Sequence, residues 1–292
     1  AAGIEQAVFM GNLYGRRFSS LQMSFHLFGQ VVGVDDNLAD ADGLWLTFGR
    51  TFPGGLVRFD GAEFSTLSLM DGLPGDRLQS LHRDRDGKLW IGMFAGGVAR
   101  YDGDSFEHLG TADGLAHESV WSILSDSAGA LWFGTFGGGV SRFDGREFET
   151  FDRNRGLAHD YVLSIMEDRL GRLWFGTFGG GISVYDGLVF QTISRRDGLL
   201  NNAVHEIVED SRGDYWIATE GGVSRYRPSR TPPRVQIANI IAERAHGAAR
   251  QLEIDDTQDL VIFEFRGRSF TSHPDQIVYV CRLLGYDDEW HF

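Results

Sequence analysis

Apolar residues in this chain fall in short runs separated by glycine, aspartate and asparagine. Val120 to Leu124, Leu131 to Thr135, Val140 to Phe143 and Glu147 to Phe151 form one such series and read as four short strands. Gly137-Gly138-Gly139 supplies positive φ between the second and third strands. Asp144-Gly145 is a two-residue hairpin signal between the third and fourth. No segment of this region sustains a 3.6-residue apolar period. The series then recurs. Trp90, Trp132, Trp174 and Trp216 stand 42 residues apart, each after a similar lead such as Gly129-Ala130-Leu131 or Gly171-Arg172-Leu173. An earlier copy, Asp42-Gly43-Leu44-Trp45, lies 45 residues before Trp90, with the extra residues in the loop holding Arg50 to Pro53. Asp-Gly recurs at Asp60, Asp102, Asp144 and Asp186, and Gly-Leu at Gly72, Gly114, Gly156 and Gly198.

Four antiparallel strands in about 42 residues is the unit of a β-propeller blade. A lone sheet with Trp, Phe, Leu and Val on both faces cannot bury them, whereas stacking sheets around an axis covers both faces. The fold class is therefore all-β, a propeller with five clear blades. The fifth, Ala203 to Tyr226, lacks its outermost strand. Residues 1–30 carry no landmark tryptophan. Ala7 to Met10 and Leu13 to Leu21 read as worn outer strands, one of them completing the ring; the alternative is a chain that starts inside a larger propeller. The propeller is assigned to 1–227. A proline-rich linker, 228–233, follows. Strands resume at Val235 to Ile241, Gln251 to Ile254, Leu260 to Phe265 and Ile277 to Leu284, the pattern of a β-sandwich over 234–292. Four strands are too few for a whole sandwich, so the parent protein is expected to continue.

Composition narrows the function. The net charge is −14, which argues against nucleic acid as a partner, since phosphate binding needs a basic face. The single cysteine, Cys281, excludes an intramolecular disulfide and a multi-cysteine zinc site. No run of 18 apolar residues is present, so no membrane segment is expected in this chain.

The unit Asp113-Gly114-Leu115 … Val120 … Asp126 … Gly129-Ala130-Leu131-Trp132-Phe133-Gly134-Thr135 … Gly139-Val140-Ser141-Arg142-Phe143-Asp144 resembles the two-component regulator propeller repeat. The tail Tyr279 to Trp290 is similar to the core of the three-tyrosine (Y_Y_Y) domain, with Gly285, Asp287 and Trp290 on its motif and Cys281 where an aromatic usually stands. The resemblance covers 31–292. It implies the periplasmic sensor region of a bacterial inner-membrane signalling receptor, homodimeric at full length, whose output domain lies elsewhere. It also implies a small-molecule or oligosaccharide ligand. Family propellers usually have seven blades, so five is a departure.

Catalytic motifs are scarce. His205-Glu206-Ile207-Val208-Glu209 lacks the second histidine of a zinc helix and falls on a predicted strand. Asp40, Asp42 and Gly43 miss the remaining ligand positions of a calcium loop. The Asp126 to Trp132 element is similar to the Asp-box of sialidase propellers, a structural turn. No cofactor, metal or catalytic residue is assigned. Enzymatic readings, a lyase or a glycosidase, stay behind a binding module, and a pure protein-interaction propeller is a third alternative. The candidate ligand residues precede each innermost strand: Gly75, His117, His159 and Asn201 at one blade position; Asp76, Glu118, Asp160 and Asn202 at the next; then Arg77, Ser119, Tyr161 and Ala203. These positions vary while the Trp and Gly landmarks hold. That suits either a site grafted on a constant scaffold or a solvated rim. The predicted ligand set is His117, Glu118, His159, Asp160, Tyr161, Asn201, Asn202, Asp76 and Arg77.

Overall fold

The computed structural model describes residues 24–27, 30–33, 36–40, 43–48, 55–228, 234–241, 261–268 and 281. The chain divides into two compact units, Ala1–Tyr226 and Arg227–Phe292. Among the described residues, the first unit contains a two-stranded hairpin and five larger antiparallel sheets whose strands follow one another in chain order. Blade I runs Asp36–Asp40, Gly43–Phe48, Gly55–Phe59, Phe64–Leu67; blade II runs Leu78–Arg83, Leu89–Met93, Val98–Tyr101, Phe106–Leu109. Blade III runs Val120–Ser125, Leu131–Thr135, Val140–Phe143, Phe148–Phe151; blade IV runs Val162–Glu167, Leu173–Thr177, Ile182–Tyr185, Phe190–Ile193. Among the described residues, blade V has three strands, Val204–Glu209, Tyr215–Thr219 and Gly222–Tyr226. The first strand of each blade packs beside the first strand of the next, so these are the inner strands of a propeller. The all-β reading is borne out.

Register follows the hydrophobic pattern, because a slip of one residue would turn every apolar side chain to the wrong face. In blade III, Leu124 pairs with Trp132 and Trp132 with Arg142. The tryptophan then reaches across to the following blade. Trp90 lies 5.6 Å from Phe133, Trp132 lies 5.8 Å from Phe175, and Trp174 stacks on Tyr215 at 4.0 Å. Trp45, Trp90, Trp132 and Trp174 are at most 5% exposed, whereas Trp216 in blade V is 43% exposed. From blade II onward the indole N–H donates to an aspartate six residues earlier: Trp90 to Asp84 at 2.7 Å, Trp132 to Asp126 at 2.7 Å, Trp174 to Asp168 at 2.8 Å and Trp216 to Asp210 at 3.1 Å. The same carboxylates accept the backbone N–H groups of the turn before the second strand. The Asp-to-Trp spacing is therefore a structural clasp. It joins the turn to the inter-blade core.

Close packing also sets a glycine. A Cβ on Gly134 would sit 2.3 Å from Ser122 Oγ and 2.9 Å from Val162 Cγ1 of the next blade. The blades meet there without room for a methyl.

The link from each outer strand to the next inner strand holds a single 3₁₀ turn, Leu69–Asp71, Thr111–Asp113, Arg153–Arg155 or Arg195–Asp197. The sequence pattern did not predict these turns, since one turn has no period to read. Their signal was local. Ser68 and Ser194 cap the backbone while Asp71 and Asp197 reach back, and a glycine in the left-handed region closes the turn.

A separate hairpin pairs Ser24–Leu27 with Gln30–Gly33, where the sequence reading had placed no strand. The outer strands expected at 7–10 and 13–21, and the long loop at 50–53, lie outside the described residues. In the second unit, Arg234–Ile241 pairs antiparallel with Ile262–Arg268. The expected strand at 260–265 thus starts and ends later. The strand expected at 251–254 lies outside the described residues, as does all of the one expected at 277–284 except Cys281.

Candidate functional site

The predicted ligand residues occupy the links, at the end of the blades where the inner strands begin. Each link is tied down by its own polar side chains. Glu118 accepts the Thr111 backbone N–H at 2.8 Å and the Thr111 hydroxyl at 2.5 Å. Asp160 accepts the Arg153 N–H at 2.9 Å, and Asn202 accepts the Arg195 N–H at 2.8 Å. Burial alone would raise the Glu118 carboxyl. The Thr111 bonds and the nearby His108 and His117 instead hold it below its ordinary value. The main-chain oxygens of the same three residues knit neighbouring blades. Glu118 O accepts from Gly96 and Gly97, Asp160 O from Gly137 and Gly139, and Asn202 O from Gly179 and Gly181, all within 3.1 Å. Glu118, Asp160 and Asn202 are therefore braces of the link, each with a side-chain oxygen committed to the turn.

The position before them works differently. His117 Nδ1 accepts the Ser119 N–H at 3.0 Å, and His159 Nδ1 accepts the Tyr161 N–H at 3.1 Å. Asn201 Oδ1 accepts the Ala203 N–H at 2.9 Å. An imidazole that accepts at Nδ1 carries its proton at Nε2. His117 and His159 therefore each keep an Nε2–H donor. Asn201 keeps its amide donors. Three consecutive blades thus present a donor at one repeated position.

Aromatic rings adjoin this row. Trp121 stacks on Phe136 at 5.2 Å, and Phe136 stacks on Tyr161 at 4.3 Å with 19° between the planes. His159 meets Tyr161 edge-on at 5.1 Å. Tyr161 is 36% exposed and Phe178 is 40% exposed. On blade II, the Arg77 guanidinium lies 3.9 Å over Phe94. Asp76 is half-buried and belongs to that same link. The structure thus brings His117, His159 and Tyr161 into one row, with Asn201 one blade on. Asp76 and Arg77 stand on a blade that has Gly75 in place of the histidine at this position. Phe136 and Phe178 were missed by the sequence reading. Their signal was available: Phe94, Phe136 and Phe178 follow the second strand at the same blade position. Among the described residues, no group of histidine, cysteine and carboxylate side chains can hold a metal ion.

Residues 72–95, 114–137, 156–179 and 198–221 match the two component regulator propeller family. Each matched window starts at the glycine closing the 3₁₀ turn and spans the link and the first two strands, so the matched repeats contain the candidate row. No curated protein matches the chain. Among solved structures, the extracellular domain of the hybrid two component system BT3049 from B. thetaiotaomicron is similar at 19% identity, with a TM-score of 0.57, over 82% of this chain and 41% of that one. The extracellular domain of the one component system BT4673 from the same organism is similar at 19% identity and a TM-score of 0.58, over 74% of this chain and 35% of that one. A catalytically inactive virginiamycin B lyase from Staphylococcus aureus with quinupristin is similar at 17% identity and a TM-score of 0.52, over 72% of this chain and 76% of that one. The chain spans about two fifths of the length of the first of these. At such identities the likeness carries the fold. Among the described residues, no helix is long and apolar enough to cross a membrane.

Proposed function

We propose that this chain, built from two-component regulator propeller repeats, is the extracytoplasmic sensor region of a bacterial two-component-type receptor. Its task is to bind a small polar ligand, an oligosaccharide foremost, at the row formed by His117, His159, Tyr161 and Asn201. The second unit is assigned to a partial three-tyrosine domain that passes the signal on. The intact receptor is assigned to the periplasmic side of an inner membrane, as a homodimer. The chain itself is read as a binding module without catalysis.

The observation that carries the reading is the division of labour within each link. One acceptor of His117, His159 or Asn201 holds the backbone, and the remaining N–H points away from that bond. A scaffold needs only the acceptor. A repeated donor without a partner among the described residues, beside exposed rings, is what a hydroxyl-rich ligand uses. The sensor assignment is supported by the solved extracellular domains of signalling systems that share the fold.

The test is calorimetric titration of a glycan library into the chain, followed by His159→Ala and Tyr161→Ala. Losing one such hydrogen bond costs about 1–3 kcal/mol, roughly 5- to 150-fold in affinity. A ligand whose affinity is unchanged in both variants would place the site elsewhere. Turnover of a streptogramin or a polysaccharide would replace the binding reading with the enzymatic one.

A further inference from the structure

The row at the mouth contains one ring that its neighbours leave bare. Phe136 and Phe178 hold the same position in blades III and IV, after Thr135 and Thr177. Each forms an isolated antiparallel bridge to the residue that opens the next inner strand: Phe136 to Tyr161, and Phe178 to Ala203. In the first pair, the tyrosine ring lies flat on the phenylalanine ring at 4.3 Å. In the second, the partner is a methyl group. Ala203 is buried, Phe178 is 40% exposed, and Phe178 has no ring partner among the described residues. A six-membered ring therefore has a place to lie on Phe178, and the molecule displays the occupied form of that place one blade earlier.

Polar groups flank it. His159 Cδ2 and Nε2 lie 3.8 Å from where a Cβ on Gly179, the next residue, would stand, so the imidazole adjoins Phe178. Asn201 sits two residues before Ala203, with its amide nitrogen unengaged among the described residues. An apolar ring face bordered by N–H donors suits a six-membered ring with an apolar face and hydroxyl substituents.

We infer that Phe178 is a ring-stacking subsite, which takes one six-membered ring of the ligand in the place that Tyr161 takes on Phe136. The inference rests on the mouth reading above and adds to it the residue that holds the ring. The shared chemistry is a six-membered ring with an apolar face. An aromatic ring presents its π face, and a pyranose presents its axial C–H groups.

The experiment uses the full chain and three probes followed by heteronuclear NMR: N-acetyl-tyrosinamide, methyl β-glucoside and sorbitol, the last being polyhydroxylated without a ring. At least one ring probe should shift the signals around Phe178, and sorbitol should not. Which ring probe binds tells aromatic from pyranose. Phe178→Ala should weaken that probe by about 5- to 50-fold, and Phe178→Tyr should keep it within about threefold. Ala203→Tyr supplies the protein's own ring, as in blade III, and should abolish probe binding. The exposure of Phe178 predicts unchanged melting in the Phe178 variants, which reports that they fold. Ring-probe affinity untouched by both Phe178→Ala and Ala203→Tyr overturns the inference, as does equal binding of sorbitol. Loss in His159→Ala without loss in Phe178→Ala leaves the mouth reading standing and removes this one. Loss in Phe178→Ala with no effect of His159→Ala or Tyr161→Ala does the reverse.

Discussion

The clasp at Asp168 offers a sharp test of what holds the blades together. Its side chain is fully buried. One oxygen accepts the Leu170 and Arg172 backbone N–H groups, both at 2.9 Å. The other accepts Arg172 Nε at 2.7 Å, Trp174 Nε1 at 2.8 Å and the Tyr215 hydroxyl of the next blade at 3.0 Å. Asp168→Asn keeps the shape but replaces the second oxygen with an N–H₂ group facing three donors. Hydrogen bonds to a charged group are each worth about 1.5–3 kcal/mol, and the three share one atom, so a loss of about 3–5 kcal/mol is expected. Asp210 makes the matching clasp in blade V. There the donors are the Arg212 and Asp214 N–H groups and Trp216 Nε1 at 3.1 Å. Trp216 is 43% exposed, so water can replace the lost acceptor, and Asp210→Asn should cost under about 1 kcal/mol. At about 2–4 °C per kcal/mol for a domain of this size, the two variants should separate by roughly 5–15 °C in Tm.

Thermal and urea unfolding of both variants beside the parent chain make the measurement. Acid adds a second readout. Burial by itself raises the Asp168 carboxyl, but the bonds from Trp174, Arg172 and Tyr215 hold it below its ordinary value. A carboxyl lowered in the folded state contributes stability above its unfolded value near pH 4, and that stability is lost as pH falls through the folded value. The acid-side loss should shrink in Asp168→Asn. Equal destabilisation by the two substitutions would refute the reasoning, because it would show that inter-blade burial adds nothing to the clasp.

Tyr215 should titrate late: burial first, then its bond to Asp168, pushes its hydroxyl up to about 12. Being raised in the folded state, it contributes stability that is whole below pH about 10 and is lost as pH rises toward 12; a spectrophotometric titration in which every tyrosine ionises near pH 10 would contradict this. Gly134→Ala should destabilise by about 1–3 kcal/mol, because its methyl would meet Ser122 Oγ at 2.3 Å and the next blade; an unchanged urea midpoint would show that the blades part easily. Asp160→Ala removes the acceptor of the Arg153 N–H and should cost about 1 kcal/mol while changing ligand affinity less than His159→Ala; the reverse order in calorimetry would make Asp160 a contact and not a brace.

The blade was legible because its signals are periodic and chemical at once. Leu131 to Thr135 and Val140 to Phe143 were placed to the residue, since alternation, a glycine run and Asp-Gly all bound them. The 3₁₀ turns were not seen, because a capping box with a closing glycine carries no apolar rhythm. The candidate row was found by its variation, and variation alone could not say which residues brace and which face outward. Glu118 and His117 are neighbours and both polar, yet one carboxyl bonds Thr111 seven residues back while the imidazole bonds two residues ahead. Only the direction of each side chain separates those roles. Phe136 and Phe178 escaped notice because a repeated phenylalanine reads as core.

Blade II shows why the row stops where it does. Its residue at the His117 position is Gly75, and a Cβ there would lie 2.9 Å from Met93 Sδ. Met93 ends the second strand where blades III, IV and V have Thr135, Thr177 and Thr219. Those threonines turn their hydroxyls to the following loop: Thr135 to Gly139 O at 2.8 Å, Thr177 to Gly181 O at 2.7 Å and Thr219 to Gly222 O at 2.8 Å. A short side chain so engaged leaves space for a histidine or asparagine beside it. The longer methionine fills that space and requires glycine. The donor row and the threonine that makes room for it therefore travel together along the chain, and Met93 marks its edge. Replacing Met93 with threonine would open the place, and Gly75→His with it would extend the row by one blade. Without that second change, Asp76 and Arg77 border the mouth from a blade that has no donor at the His117 position.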